Sequence, residues 1–555
     1  MNSLKPMLLT SLKSYDRTQF VKDVTAGIIV AIIALPLSIA LALASGVGPE
    51  AGIFTAIVAG FVISALGGSS VQIAGPTAAF ATIVAGIVAK DGLDGLVIST
   101  ILAGIFLILM GLCHFGSLIK FIPYTITTGF TSGIAVTIVI GQLKDFFGVT
   151  YPDGVKPIET TEKFKAFIEN ISTMNTAALI VGIVSLAILI ISPVIFKKIP
   201  GSLIAVIVGI LMVKFLPLKV STIGNLYTIS NSLPAFHLPA VNLHIIENAL
   251  PNAFTIAVLA AIESLLSCVV ADGMINGKHR SDMELVAQGA GNIASALFGG
   301  IPATGAIART AANIKNGGRT PVAGMVHSIT LVIVLVVLMP FAGMIPMPTI
   351  AAILFIVAYN MCQWRTFVHL IRTAPKSDII VLFATFILTI LFDLVVAIEI
   401  GMVLACLLFI KRMSEETHVD GWTYVDDDTP DVDAHLKKLP LQIRVYEITG
   451  PLFFGAADAI EHIVVKDFTT CLVLRMRSVP AIDASAMRSL RDLAARAKKK
   501  HITLIFSHVN EQPMSVMKKD HFIELIGEEH FLPNIVEALG YAENMVADSG
   551  HKAAK

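Results

Sequence analysis

Apolar residues run in long stretches over the first three-quarters of the chain, interrupted by Gly, Pro or charged positions. The stretches fall at 24–46, 50–66, 77–89, 93–113, 122–143, 175–195, 201–217, 250–271, 284–298, 306–314, 322–343, 348–361, 378–392 and 394–410. A helix needs about 20 apolar residues to cross the hydrocarbon core of a bilayer. The pattern predicts fourteen membrane segments. Several are clearly shorter than that, notably 77–89 and 306–314. Either they do not cross, or they are half-helices entered from extended backbone inside the membrane.

Beyond residue 440 the pattern changes. Ile443, Val445 and Ile448 alternate as in a strand, and Pro451–Gly455 opens another. Cys471–Met476 reads as a buried strand, Ala484–Lys500 as a helix, Ile502–Phe506 as a strand and Leu532–Leu539 as a closing helix. Period 2 alternating with period 3.6 predicts a small α/β sandwich. The expected fold class is therefore an all-α polytopic membrane domain followed by a small α/β domain. The expected divisions are an N-terminal segment at 1–23, the membrane domain at 24–410, a linker at 411–440, the α/β domain at 441–545 and a tail at 546–555.

Composition sharpens this division. The 555 residues are 55% hydrophobic and 14% charged, with 40 Lys+Arg against 40 Asp+Glu, and mean hydropathy is +0.79. A balanced charge gives no polyanion footprint, which excludes a nucleic-acid binder, and the apolar content excludes disorder. Residues 24–410 hold 34 of the 80 charges and the last 145 residues hold 40. The tail thus approaches the roughly 25% charged composition of soluble domains. Cys113, Cys268, Cys362, Cys406 and Cys471 are scattered without paired spacing, so buried thiols rather than disulfides are expected.

Fourteen segments place both termini on one side. Loops on that side carry Lys120, Lys197, Lys198, Lys278, Arg280, Lys315, Arg319, Arg365, Arg372, Lys376, Lys411 and Arg412. The N-terminal segment adds Lys5, Lys13, Arg17 and Lys22. Opposite them, residues 151–170 mix Asp153, Glu159, Glu162 and Glu169 with Lys156, Lys163 and Lys165. The excess of Lys and Arg predicts cytoplasmic termini in an inner membrane.

The two short segments carry the candidate chemistry. Ser64–Gly68 precedes Ile73–Phe80, and the similar Ser295–Gly300 precedes Ile301–Arg309. Seven segments per half makes this an inverted repeat, because seven is odd. Interrupted helices at matching places in inverted halves point to a transport site; the alternative is close helix packing through small residues. A helix starting inside the membrane offers free N–H groups and a partial positive charge. Pro76 suits a first helical position, Thr77 and Thr304 can cap or touch a ligand oxygen, and Gly75 and Gly305 allow close backbone approach. An anion is the ligand such starts favour.

Glu263 and Arg309 lie in otherwise apolar surroundings, where a charge at the bilayer centre costs on the order of 3 kcal/mol. Arg309 is expected either to add positive charge beside the substrate or to anchor helices. Glu263 is expected either to carry a proton or to make a structural hydrogen bond or an ion pair with Arg309. Asp272, Asp393 and Glu399 read as end or turn residues. His114, His237, His279 and His327 are dispersed, so no metal site is expected, and no HExxH, GxSxG or Walker A sequence occurs. Without a P-loop, the driving force is expected from an ion or substrate gradient, and no catalytic residues or cofactor are expected.

Several stretches resemble the SulP (sulfate permease) family: Phe20–Gly27, Ala34–Pro36, Ala74–Phe80, Gly129–Ile134, Ile262–Leu266, Ala271–Met274, Lys278–His279, Glu284–Gly289 and Ala308–Asn313. The resemblance implies a 7+7 inverted repeat, a core domain that moves as an elevator against a gate domain, a homodimer and a cytoplasmic STAS domain with a possible partner there. It implies substrate contacts at Pro36, Leu37 and Ser38, at Gly75, Thr77 and Phe80, and at Thr304, Gly305, Ala308 and Arg309. Many animal members have Gln in place of Leu37, and many chloride-binding members have Ser in place of Ala308. Glu263 and Ser267 fall at the coupling-ion positions. Sodium-coupled bicarbonate members have Asp and Thr there, so the Glu implies proton coupling, with sodium as the alternative. Ala374–Val381 resembles the aerobic C4-dicarboxylate subgroup, which implies uptake of a succinate- or fumarate-like anion, with sulfate and bicarbonate as alternatives. A passive anion channel and an anion-sensing scaffold are the readings of another class. Val479–Ser485 resembles the turn of anti-sigma factor antagonists, whose phosphorylated Ser is replaced by Ala484. The STAS domain is expected to support assembly or regulation, and Lys498–Lys500 to be a solvated helix end.

Overall fold

In the computed structural model the described parts of the fourteen apolar runs lie mostly in helix, as the lack of water to satisfy backbone groups in a bilayer requires. The structure describes residues 4–117, 123–152, 154–155, 157–195, 200–216, 218–230, 232–239, 243–392, 394–421, 439–455, 460, 463 and 468–553. Lys120, Asp153, Lys156, Lys197, Lys198, Asp393 and most of the expected linker lie outside the described residues. Contacts divide the chain into two units, Met1–Met402 and Val403–Lys555.

The first unit runs α1 (Arg17–Ala44), α2 (Pro49–Leu66), β1 (Ala74–Gly75), α3 (Ala78–Leu112), α4 (Tyr124–Phe147), α5 (Thr160–Glu169), α6 (Thr176–Ile195), α7 (Gly201–Phe215), α8 (Leu243–Ile275) and α9 (Ser281–Leu297). It continues through β2 (Thr304–Gly305), α10 (Ile307–Lys315), α11 (Val322–Ala342), α12 (Met347–Cys362), α13 (Trp364–Thr373) and α14 (Lys376–Leu391) to the start of α15 (Leu394–Glu415). Two expected segments share α3, divided at Gly92, whose φ of 73° breaks the helix where Lys90 and Asp91 interrupt the apolar pattern. Among the described residues, eight helices are long and apolar enough to cross a membrane.

The short runs behave as half-helices. The nine residues of α10 rise about 14 Å at ~1.5 Å per residue, about half the hydrocarbon thickness. Each is entered from a two-residue strand, and the two strands pair antiparallel, Ala74 with Gly305 and Gly75 with Thr304. An antiparallel pair has a local two-fold axis between its strands, which is the symmetry an inverted repeat requires.

Close helix crossings fix this arrangement. A Cβ on Gly104 of α3 would meet the Gly289 carbonyl of α9, and one on Gly289 would meet the Gly104 carbonyl. Small residues let membrane helices approach this closely. Gly104→Leu is therefore expected to destabilise the membrane unit by about 1–3 kcal/mol through overpacking, read as a lower melting temperature in detergent.

Buried polar groups hold the loops. Asp23 of α1 is fully buried and accepts hydrogen bonds from Tyr15 Oη (3.0 Å), Gln19 Nε2 (2.9 Å), the Arg319 N–H (2.9 Å), the Thr320 N–H (3.4 Å) and Thr320 Oγ1 (2.6 Å). It ties the N-terminal segment to the turn before α11. Burial, and then the adjacent Asp23 carboxylate, push the Tyr15 phenol from 10.0 up to about 12. A raised folded value means that this contribution to stability is complete below the unfolded value and is lost as pH rises through the folded one. Melting temperature is expected to fall between about pH 10 and pH 12, and the fall is expected to shrink in Tyr15→Phe.

In the second unit α15 continues through the expected boundary at 410, because the change in composition occurs within one helix. It is followed by β3 (His418–Gly421), β4 (Ile443–Thr449), β5 (Cys471–Ser478), α16 (Ala484–Lys499), β6 (Thr503–Ser507), α17 (Glu511–Lys519), β7 (Phe531–Leu532) and α18 (Ile535–Ala553). The sheet order is β3-β4-β5-β6-β7, antiparallel at β3–β4 and parallel elsewhere. Three expectations are corrected. Pro451–Gly455 is not a strand: only Leu452 makes an isolated bridge, to Ile482, while Phe453 and Phe454 turn outward. The strand β3 lies within the expected linker. The closing helix starts at Ile535 and absorbs the described part of the expected tail.

Candidate functional site

Two half-helix starts, α1 and α8 build the site. The α3 start has Thr77 at its N-cap and the α10 start has Ala306, and neither side chain caps its helix. The leading N–H groups of both helices are thus left without side-chain caps. Pro76 does not take the first helical position: the backbone stays extended through Thr77 and the helix begins at Ala78. Thr77 turns its hydroxyl away from its own helix and donates from Oγ1 to Glu263 Oε2 at 2.9 Å. Thr304 is held in β2 and shares a 2.6 Å hydrogen bond with Ser264 Oγ. Ser264 Oγ also accepts the Gly305 N–H at 3.0 Å.

Glu263, Ser264 and Ser267 lie on one face of α8 by helical spacing. That face reaches both starts: Glu263 through Thr77, and Ser267 through a 3.4 Å contact from its Oγ to Thr310 Oγ1 of α10. Glu263 is half-buried and Ser267 buried.

Arg309 leaves the first turn of α10 and is 3% exposed. Its Nη2 donates to Ser38 Oγ (3.3 Å) and to the Pro76 carbonyl (3.2 Å). Its Nη1 is buried and makes no hydrogen bond among the described residues. A Cβ on Gly75 would strike Nη1, so this glycine leaves the space the guanidinium fills. Arg309 and Glu263 form no ion pair, which removes one of the alternatives for Glu263. The cation is bound to α1 and to the approach to α3, while the carboxylate is bound to the α3 start itself.

The other sequence-selected residues divide by exposure. Pro36 and Ser38 are buried within α1, with Leu37 half-buried beside them. Gly75 and Gly305 are buried in the strand pair, and Phe80 is fully buried in the apolar core. Ala308 is exposed on the first turn of α10. Asp272 lies near the end of α8 and accepts from His279, both from the backbone N–H (2.9 Å) and through the ring Nδ1 (2.7 Å). Glu399 lies inside α15 on an exposed face and not at a turn. Among the described residues no group of three or more His, Cys, Asp or Glu side chains is placed to hold a metal.

Sequence reasoning missed the scaffold behind the site. Glu284 of α9 is fully buried and accepts from the Gly68 and Ser69 N–H groups (2.9 and 3.1 Å), Gln72 Nε2 (2.7 Å) and Gln288 Nε2 (2.8 Å). It pins the approach to β1. Asn292, one helix face along, pins the approach to β2 by pairing with both the N–H and the C=O of Ala303. A charge at the head of the apolar run 284–298 was the available signal. His327 is fully buried, and neither ring nitrogen is hydrogen-bonded among the described residues.

A model of the sulfate permease family matches residues 20–385, and one of the STAS domain matches residues 437–538. The chain belongs to the sulfate permease family. Over 95% of this permease and 99% of the relative, it is 39% identical to the putative sulfate transporter YvdB of Bacillus subtilis (strain 168). It is 32% identical to the bicarbonate transporter BicA of Picosynechococcus sp., over 86% of each chain. A solved structure of SLC26A9 superposes with a TM-score of 0.87 over 99% of the permease and 94% of that chain, at 18% identity, and so shares the fold. The permease is a multi-pass membrane anion transporter, and its relatives are transporters rather than enzymes.

Proposed function

We propose that this permease accumulates a small oxyanion by moving it together with a proton. Arg309 and the two half-helix starts hold the anion, and Glu263 carries the proton. The observation that carries this reading is the Thr77–Glu263 hydrogen bond, which joins a titratable side chain directly to an anion-favouring helix start. An ionised Glu263 repels the anion, by about 3 kcal/mol for charges ~6 Å apart at an effective dielectric near 20. Protonation removes that repulsion, so the proton raises anion affinity and the anion raises proton affinity equally. Loading the two together lets the core carry both, by an elevator movement, down the proton gradient.

The relatives support a substrate class. A putative sulfate transporter and bicarbonate transporters share the full-length organisation, which favours a compact inorganic oxyanion. Nothing in these comparisons supports the C4-dicarboxylate expectation. Cytoplasmic termini and a homodimer belong to the same reading. The test is uptake of labelled bicarbonate, sulfate, succinate and fumarate by proteoliposomes under proton or sodium gradients. Uphill uptake of bicarbonate or sulfate with an acidic exterior is the expected result. Dependence on sodium alone overturns the coupling, currents at channel rates overturn the carrier, and binding without flux identifies a sensor.

A further inference from the structure

The end of α15 and a loop of the α/β domain form a second, independent surface. Within the second unit, Phe409, Ile410, Met413 and Ser414 of α15 face Pro451, Phe453, Phe454 and Gly455 across an apolar cavity of about 360 Å³. Hydrogen bonds fix the loop to the helix end: Ser414 Oγ donates to the Gly455 carbonyl, and Thr417 Oγ1 donates to the Pro451 carbonyl at 3.0 Å. Asp483 fixes it from the other side. One of its carboxylate oxygens accepts the Phe454 N–H at 2.9 Å, while the other caps α16 through the Ala486 N–H at 2.9 Å. Leu452 is fully buried in the domain core, yet its neighbours Phe453 and Phe454 are 41% and 59% exposed. A loop held at both ends so as to present two phenylalanines outward calls for an apolar partner.

The neighbouring helix indicates which partner. Val403, Leu407 and Ile410 are exposed at helical spacing along α15. In a membrane-spanning helix such a stripe faces lipid, and this one runs without a break into the cavity. Lys411 and Arg412 follow it directly and both are exposed, the basic flank that suits a helix end beside anionic headgroups. We propose that Phe453 and Phe454 insert among the acyl chains of the leaflet at the C-terminal end of α15. The Pro451–Gly455 loop is then a lipid anchor that seats the α/β domain on the bilayer surface.

The test uses the full-length protein in phosphatidylethanolamine–phosphatidylglycerol vesicles, with Trp364 and Trp422 replaced by Phe and a single reporter introduced as Phe454→Trp. Phe453→Trp serves as the second reporter. Lipids carrying a nitroxide near the top of the acyl chain are expected to quench at least half of the fluorescence, and aqueous iodide little of it. Iodide quenching as strong as for free N-acetyltryptophanamide, with no response to nitroxide lipid, overturns the proposal, because the loop is then in water. Protection from both quenchers also overturns it, because protein then covers the loop.

Discussion

Glu263→Gln is expected to abolish proton-driven accumulation while leaving anion exchange intact. Glutamine has the same shape, and its amide oxygen still accepts from Thr77 Oγ1, so the α3 start keeps its place. What it lacks is a titratable group. One proton per anion across a pH difference of one unit supports about tenfold accumulation, since each unit is ~1.36 kcal/mol. The variant is expected to bring that ratio to about one, because a side chain that never ionises keeps no thermodynamic link between pH and anion occupancy. Exchange of labelled for unlabelled anion continues, because Gln resembles the protonated, anion-accepting state. The measurement is paired accumulation and exchange in the same proteoliposomes. Accumulation that survives the substitution places the coupling proton elsewhere; loss of both activities with a lowered melting temperature makes Glu263 a structural hydrogen-bond acceptor.

The features that led to Glu263 and Arg309 were legible because a membrane imposes strong rules. Fourteen apolar runs, several of them shorter than a full span, are visible without coordinates. So are Ser64–Gly68 and its echo at Ser295–Gly300, and the few charges inside apolar surroundings. What joins these features was not legible. A strand of two residues has no period, so the register of Ala74 with Gly305 leaves no trace in the pattern. Glu284 and Asp23 are satisfied mainly by backbone N–H groups and neutral side chains. These pairings leave no charge pattern to read: even Arg319 meets Asp23 through its backbone N–H and not its guanidinium. An ion pair of Glu263 with Arg309, one of the alternatives that the residue types allow, does not form, because the fold gives each a neutral partner. In the α/β domain the sequence pattern predicts that Pro451–Gly455 opens a strand, whereas Phe453 and Phe454 are exposed. The residues that lie inside are Leu452 and the strands around it.

Arg309→Ala is expected to raise the KM for the anion by roughly tenfold to 150-fold, the loss of a charge-assisted contact of about 1.5–3 kcal/mol. The argument rests on how the guanidinium is used. Nη2 is committed to Ser38 Oγ and the Pro76 carbonyl, and Nη1 is buried without a partner among the described residues. A buried donor left unpaired is destabilising unless something else accepts from it, and beside two uncapped helix starts the fitting acceptor is an anion. Arg309→Lys is expected to recover only part of the affinity. An ammonium on a flexible stem can supply the charge, but it cannot hold Ser38 and Pro76 with one arm while presenting the other. Ser38→Ala separates the site from the scaffold. It removes one contact of Nη2 and leaves the cation, so KM is expected to change by less than threefold. If Arg309 serves only as an interhelical anchor, the ranking reverses in a readable way. Arg309→Ala would then lower the melting temperature and the yield of folded permease, while the surviving molecules would bind their anion with an unaltered KM.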